Sequence, residues 1–248
     1  MSGKVYLVGA GPGAVDLLTL RAARLLGEAD VVLHDALVSG EVLALASKAK
    51  LYNVGKRANR PSADQRLICR LLVRMAMRHA VVVRLKGGDP NLFGRAAEEL
   101  EACDAAGVRV ETVPGVSAAF AAAATLNISL TSRGVSRSVT FVTPSITRGR
   151  VEQDMHWADA AAKAETAVIY MGAQQAERVM QALLARGVPA HRPAALLESV
   201  SLSGERIVCG MLSDLPALAA ELGEGPAIIV IGEAFGEARA AIADANAA

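Results

Sequence analysis

Arg84-Leu-Lys-Gly-Gly-Asp-Pro-Asn-Leu-Phe-Gly-Arg95 is the stretch on which the reading of this chain turns. It follows the β-branched run Val81-Val82-Val83 and precedes a helix-like segment, Ala96 to Ala106. It therefore reads as the loop at the carboxyl end of a strand, the edge at which open α/β sheets bind ligands. Gly87 and Gly88 allow a sharp turn and let a ligand approach bare backbone. Asp89 sets an acceptor beside that backbone, Pro90 stiffens the exit, and Arg95 starts the next helix. Local chemistry leaves two readings level: a site for a small polar ligand, or an ordinary strand–turn–helix connection with a surface Asp.

Working outward, strand patterns fall at Lys4–Val8, Ala29–Leu33, Leu51–Val54, Val81–Leu85 and Arg109–Val113. Helical patterns fall between them at Leu17–Leu26, Glu41–Ser47 and Asp64–Arg78, with Leu67, Leu71, Leu72 and Met75 on one face of the last. A small-residue helix, Ala118–Leu126, precedes the polar stretch Leu130–Arg137, which reads as a linker. Beyond it, strands are expected at Ser138–Thr143, Thr166–Met171, Ala194–Glu198, Arg206–Gly210 and Ala227–Ile231. Helices are expected at Asp154–Lys163, Gln174–Arg186, Leu215–Leu222 and the tail Glu237–Ala248. This alternation predicts an α/β protein of two α/β domains, 1–130 and 131–248, with an interdomain cleft.

Composition narrows the partners. Hydrophobic residues make up 52% of the 248, but aromatics only 3%, so the core must be built from Ala, Val, Leu and Ile. A formal net charge of +1 gives no global field for nucleic acid or a membrane surface, so neither partner is expected. Cys69, Cys103 and Cys209 are odd in number and far apart, which suits buried thiols in a reducing compartment. The histidines (His34, His79, His156, His191) lack metal-ligand spacing, so no metal is expected. The N-terminus enters a strand without a signal pattern, and the apolar run Ala118–Leu126 is too short to span a bilayer. A cytoplasmic location is the expectation.

Gly9, Gly11 and Ala14 fit G-x-G-x-x-G/A after a strand, with Asp35 about 20 residues on, as in dinucleotide-binding folds. Pro12 argues against that reading, because it removes an N–H where amides should meet a pyrophosphate. A hydride-transferring oxidoreductase is kept as a competing class.

Several longer strings occur together. They are Tyr6-Leu-Val-Gly-Ala-Gly-Pro-Gly13 with Leu17-Leu-Thr-Leu20, Leu85-Lys-Gly-Gly-Asp-Pro90 with Phe93-Gly-Arg95, and Val113-Pro-Gly-Val-Ser-Ala118. Leu130-Thr-Ser-Arg-Gly134, Tyr170-Met-Gly172 and Gly225-Pro-Ala227 follow in order. Together they resemble the tetrapyrrole methylase family over about residues 3 to 235. The resemblance implies the class III methyltransferase fold, a homodimer, and S-adenosyl-L-methionine as methyl donor bound in the cleft. It implies transfer to C2 and C7 of uroporphyrinogen III, giving precorrin-2 for the sirohaem, cobalamin and haem d1 branches. Another precorrin or cobalt-precorrin methyltransferase of the family is the nearest alternative, and a cofactor-binding regulatory module a further one.

By the same resemblance, cofactor contacts fall on Pro12, Gly87, Gly88, Asp89, Leu92, Ser117, Ala118, Met171 and Ala227. Substrate and catalytic roles fall on Arg95, Glu98, Arg133 and Asp35. The chain departs from the family at Asp35-Ala-Leu37, at Thr143-Pro-Ser145, and at Ser199-Val-Ser201, where Val200 replaces a frequent glycine. A substrate with eight carboxylates needs local cations. Candidates are Lys56, Arg57, Arg60 and Arg66; Arg133, Arg137, Arg148 and Arg150; and Arg84, Lys86 and Arg95, about half of them expected to be solvated surface charges. Glu98 lies one turn after Arg95, so Arg95 is expected to orient substrate while Glu98 or a water collects a proton.

Overall fold

In the computed structural model of the chain, residues 3–55, 65–144 and 155–236 are described. Lys56, Arg57, Arg60, Arg148, Arg150 and the expected tail helix lie outside them. Two compact units emerge, Met1–Ala118 and Ala119–Ala248.

The first unit is a parallel sheet of β1 (Lys4–Gly9), β2 (Val31–His34), β3 (Lys50–Asn53), β4 (Val81–Lys86) and β5 (Arg109–Val113). The strand order is β3-β2-β4-β1-β5. Helices α1 (Leu20–Glu28), α2 (Gly40–Ala44), α3 (Gln65–Ala76) and α4 (Ala96–Ala105) connect the strands. β1 is central, in register with β4 from Lys4↔Val81 to Gly9↔Lys86 and with β5 from Lys4↔Arg109 to Val8↔Val113. Its alternate side chains serve two cores: Val8 joins Leu25, Leu26, Val32 and Val83, while Val5 and Leu7 join Ile68, Leu72, Val82 and Cys103. A parallel sheet covered on both faces explains why these strands read as continuous apolar runs.

α3 buries a face that overlaps that apolar set only in part. Leu67 is half exposed, and Leu71 and Met75 are only partly buried. The buried face is Gln65, Ile68, Cys69, Leu72 and Ala76. That set keeps the helical spacing, but it runs through a polar Gln and a small Ala, and of the four apolar residues named above only Leu72 belongs to it. Burial pushes the thiol pKa of Cys69 up, and that of Cys103 up to about 11, which leaves both protonated and inert.

The second unit begins with α5 (Ala118–Thr125), counted from the last residue of the first, and carries a mixed sheet. Its strands are β6 (Val139–Val142), β7 (Thr166–Tyr170), β8 (Pro193–Glu198), β9 (Arg206–Met211) and β10 (Ala227–Gly232), ordered β6-β7-β10-β8-β9. β6 and β7 are parallel; the other pairs are antiparallel. α6 (His156–Lys163), α7 (Ala176–Leu184) and α8 (Leu215–Ala220) supply core residues, including Val179, Leu183 and Leu215, against Ile169, Leu196 and Ile229. The stretch expected to be a linker is a tight turn. Ser132 and Ser136 exchange backbone hydrogen bonds at 2.8 Å, and the buried Ser136 hydroxyl lies 2.8 Å from Thr166 Oγ1 at the start of β7.

Glu198, buried at the end of β8, accepts the N–H groups of Gly223 (2.8 Å) and Gly225 (2.6 Å). Those bonds, Gly223's first, hold its carboxyl below its ordinary pKa despite burial. A lowered carboxylate pKa adds stability above the ordinary carboxylate range and loses it as pH falls through the folded value. Glu198→Gln is therefore expected to lower the urea midpoint at pH 7, with the gap to the parent protein narrowing as the pH is taken into the acid range.

Candidate functional site

Because all five strands of the first unit are parallel, the loops leaving β1, β4 and β5 share one edge. There, three glycines make backbone touch backbone. A Cβ on Gly9 would lie 2.6 Å from Gly115 Cα and from the Gly88 carbonyl oxygen; one on Gly115 would overlap the same oxygen. Gly88 has φ +66° and Gly11 φ +72°, conformations that L side chains adopt at a cost. Gly88 N–H donates to Gly11 O at 2.7 Å, and Gly11 N–H returns to Gly88 O at 3.2 Å.

These bonds remove the nucleotide fingerprint as a phosphate cradle. Ala10 N–H is spent on Lys86 O, Gly11 N–H is spent on Gly88 O, and Pro12 has none. Nor does a full helix start at the turn: a single 3-10 turn, Val15–Leu17, intervenes before α1. The glycines serve loop-to-loop packing, and Pro12 sits half-buried in the turn.

Asp89 ties two of the loops. Its Oδ1 accepts Asn91 N–H at 2.8 Å, and its Oδ2 accepts Gly115 N–H at 3.0 Å. Each oxygen keeps a second lone pair, so a partly exposed acceptor remains beside bare backbone. A Cβ on Gly87 would meet nothing within 4 Å, which marks open space next to that acceptor. Leu92 and Ala118 are half-buried on the flanking segments, and Ser117 is buried. A small ligand with polar ends and an apolar face fits this set.

Arg95 and Glu98 pair through two parallel bonds, Nε to Oε1 at 2.8 Å and Nη2 to Oε2 at 2.7 Å. Both are about half exposed, so the pair adds little stability. Phe93 (φ 53°) and Arg95 (φ 56°) both hold left-handed backbone at the entry to α4, with Gly94 between them. Non-glycine residues there cost on the order of 1–3 kcal/mol each and concentrate at functional sites.

Arg84 and Lys86 do not reach out to a ligand. Each side chain is 3% exposed, and both converge on Glu99, which is fully buried. Arg84 Nε lies 2.9 Å from Glu99 Oε1, and Lys86 Nζ 3.0 Å from Glu99 Oε2. Gln65 donates to Glu99 at 3.3 Å, and Arg84 Nη2 meets Asp35 Oδ1 at 2.5 Å. Burial opposes the Arg84 charge, but Asp35 and Glu99 more than offset it and its pKa rises. Burial and then Arg84 lower the pKa of Lys86. Glu99 is the residue that sequence reasoning missed. Its place with Ala96 and Cys103 on the buried face of α4 was the available signal.

In the second unit, Met171 follows β7 with φ 55° and is half exposed. The preceding Tyr170 accepts Ala119 N–H at 3.2 Å through its hydroxyl and stands edge-on to Phe141, which stands edge-on to Phe120. Ala227 is half-buried at the start of β10. Val200 is 5% exposed between Ser199 (φ 52°) and Ser201 (φ 68°), so the departure from glycine supplies a core side chain. Arg133 and Arg137 are exposed on the turn before β6. Among the described residues, no cluster of His, Cys, Asp and Glu could hold a metal ion, and no helix is long and apolar enough to cross a membrane.

The sequence profile of the Tetrapyrrole (Corrin/Porphyrin) Methylases matches residues 4–216. The chain belongs to the tetrapyrrole methylase family. It is 42% identical over 234 residues to a uroporphyrinogen-III C-methyltransferase of Synechocystis sp., covering 94% of this chain and 89% of that protein. It is 42% identical over 236 residues to a siroheme synthase of Methylococcus capsulatus, covering 94% of this chain and 50% of the synthase, so it spans about half the length of that relative. The structure of the Thermus thermophilus uroporphyrin-III C-methyl transferase complexed with S-adenyl homocysteine superposes with a TM-score of 0.82 at 39% identity, over 95% of this chain and 100% of that one. The two-sheet α/β fold expected from the strand alternation is thus the fold of the family.

The glycine junction can be tested by itself. Gly115→Ala forces a methyl into backbone that cannot swing aside, and is expected to cost about 1–3 kcal/mol in urea denaturation. Gly27→Ala in α1, where a Cβ meets nothing within 4 Å, should leave stability unchanged or raise it.

Proposed function

We propose that the chain is an S-adenosyl-L-methionine-dependent methyltransferase that converts uroporphyrinogen III to precorrin-2 by methylation at C2 and C7. The observation that carries this reading is the junction of Gly9, Gly88 and Gly115 with Asp89 and the open space at Gly87, in a chain so similar to the Synechocystis enzyme. The methyl donor supplies an electrophilic methyl on a sulfonium. An electron-rich ring carbon forms the new C–C bond as the S–C bond breaks.

This chain's residues position and balance charge. Asp89 accepts hydrogen bonds from the donor's polar groups, and Gly87 and Gly88 give it bare backbone. Pro12, Leu92, Ser117 and Ala118 complete the contact set of the first unit, and Met171 and Ala227 that of the second. Exposed apolar Met171 gives soft contact without competing for the methyl acceptor's carboxylates. Arg95 and Arg133 hold carboxylates of the tetrapyrrole, a task suited to the fork geometry of a guanidinium. Glu98, already held by Arg95, takes the proton released from the ring directly or through a water. Asp35, fixed by Arg84, faces the same substrate.

The same proposal includes a homodimer in the cytoplasm, with the domain boundary of the sequence reading, 1–130 and 131–248. It includes no nucleic-acid or membrane partner. Inert buried thiols support a reducing compartment.

The test offers uroporphyrinogen III and labelled S-adenosylmethionine to the protein and to its Arg95→Lys and Glu98→Gln variants. The parent protein should yield a product heavier by two methyl groups, and each variant should lose about 10- to 1000-fold in turnover while still binding S-adenosylhomocysteine. No methyl transfer by the parent protein would overturn the reading. Near-normal turnover by both variants would remove the roles given to Arg95 and Glu98.

A further inference from the structure

We infer that Glu99 is a positioning residue: it fixes Asp35 through Arg84 and the Gly87–Gly94 loop through Lys86, so that one buried carboxylate sets both the substrate-facing and the donor-facing parts of the first unit. The inference rests on the proposed methyl transfer for the roles of Asp35 and of the loop, but its geometry stands by itself.

Glu99 and Glu98 are neighbours on α4 with opposite tasks. Glu98 points outward to Arg95, and Glu99 points inward with no exposed surface. A buried carboxylate is costly unless its lone pairs are met. Here Oε1 takes bonds from Arg84 and Gln65, and Oε2 takes one from Lys86. Gln65 is on α3, and Arg84 and Lys86 are on β4, so two elements close on one side chain of a third.

Arg84 carries the effect to Asp35. Its guanidinium is planar, and every nitrogen is bonded: Nε to Glu99, Nη1 to the carbonyls of Leu33 (3.4 Å) and Leu85 (3.1 Å), and Nη2 to Asp35. Turning it to lose Glu99 would misplace Nη2, and with it the carboxylate at the carboxyl end of β2. Lys86 carries the effect to the loop. Its backbone carbonyl takes Ala10 N–H, and its Cε lies 3.1 Å from where a Cβ on Gly94 would sit. The lysine stem thus lies under the turn that leads into the left-handed Arg95.

With Arg84 and Lys86 opposite Glu99 and Asp35, the charges balance. A network of this kind can be replaced by apolar groups with little loss of stability, whereas removing one partner leaves an unmet charge. That contrast separates positioning from mere support of the fold.

The experiment compares Glu99→Gln with Leu72→Ala, which opens a cavity in the core of the same unit. Both should melt at lower temperature than the parent protein. Assayed well below either melting point, Glu99→Gln should lose at least about tenfold in kcat/KM for the tetrapyrrole and bind S-adenosylhomocysteine three- to tenfold more weakly, while Leu72→Ala should match the parent protein in both. If Glu99→Gln does not fold, the double variant Lys86→Met/Glu99→Met removes the charges together and should fold, with the same two losses. Parent-like kcat/KM and affinity in whichever Glu99 variant folds would overturn the inference. Absence of methyl transfer by the parent protein would instead strike the functional proposal, and the S-adenosylhomocysteine affinities would still decide the part played by the loop.

Discussion

Three loops meet at the edge of the first sheet because Gly9, Gly88 and Gly115 have no side chains. The contact is steric and short-ranged, and one methyl group would break it. Its consequences spread outward. The loops after β1, β4 and β5 hold a fixed spacing, the turn amides of Ala10 and Gly11 are consumed internally, and Asp89 can reach Gly115 N–H across the junction. What faces outward there is mainly backbone and a single carboxylate, on a tightly packed scaffold.

Charge is managed by the same economy. The formal net charge is only +1, so any site for the acidic substrate proposed above must draw on locally placed cations. Two of the candidates, Arg84 and Lys86, are withdrawn into the protein around Glu99. Arg95 and Arg133 stay exposed, on a left-handed helix entry and on a tight turn respectively. The outward charges stay accessible to solvent, and the inward ones hold the frame.

Much of this was legible in the sequence. The strands of both units were marked by β-branched and aliphatic runs, and the Gly-Gly-Asp-Pro loop was placed correctly at a strand's carboxyl end, because both are local patterns. What failed depended on tertiary context. On α3 the apolar spacing marks a helix face but not its burial: Leu67 is half exposed and Gln65 is buried to meet Glu99. Leu130–Arg137 looked like a linker because it is polar, but Ser136 is buried and bonded to Thr166. Glu99 stands beside other acids, Glu98 and Glu101, on the same helix. Its partners lie on other elements, and no spacing along the chain announces them. The roles of individual site residues came from family likeness, since local chemistry could not separate a ligand loop from a plain connection.

The central claim is that the donor binds against the glycine junction, and amide hydrogen exchange with and without S-adenosylhomocysteine tests it most directly. The account predicts that the ligand slows exchange together in the segments 9–13, 87–92 and 115–118, with the edge strand β3 unchanged. Binding that leaves those three segments untouched while protecting others would contradict it.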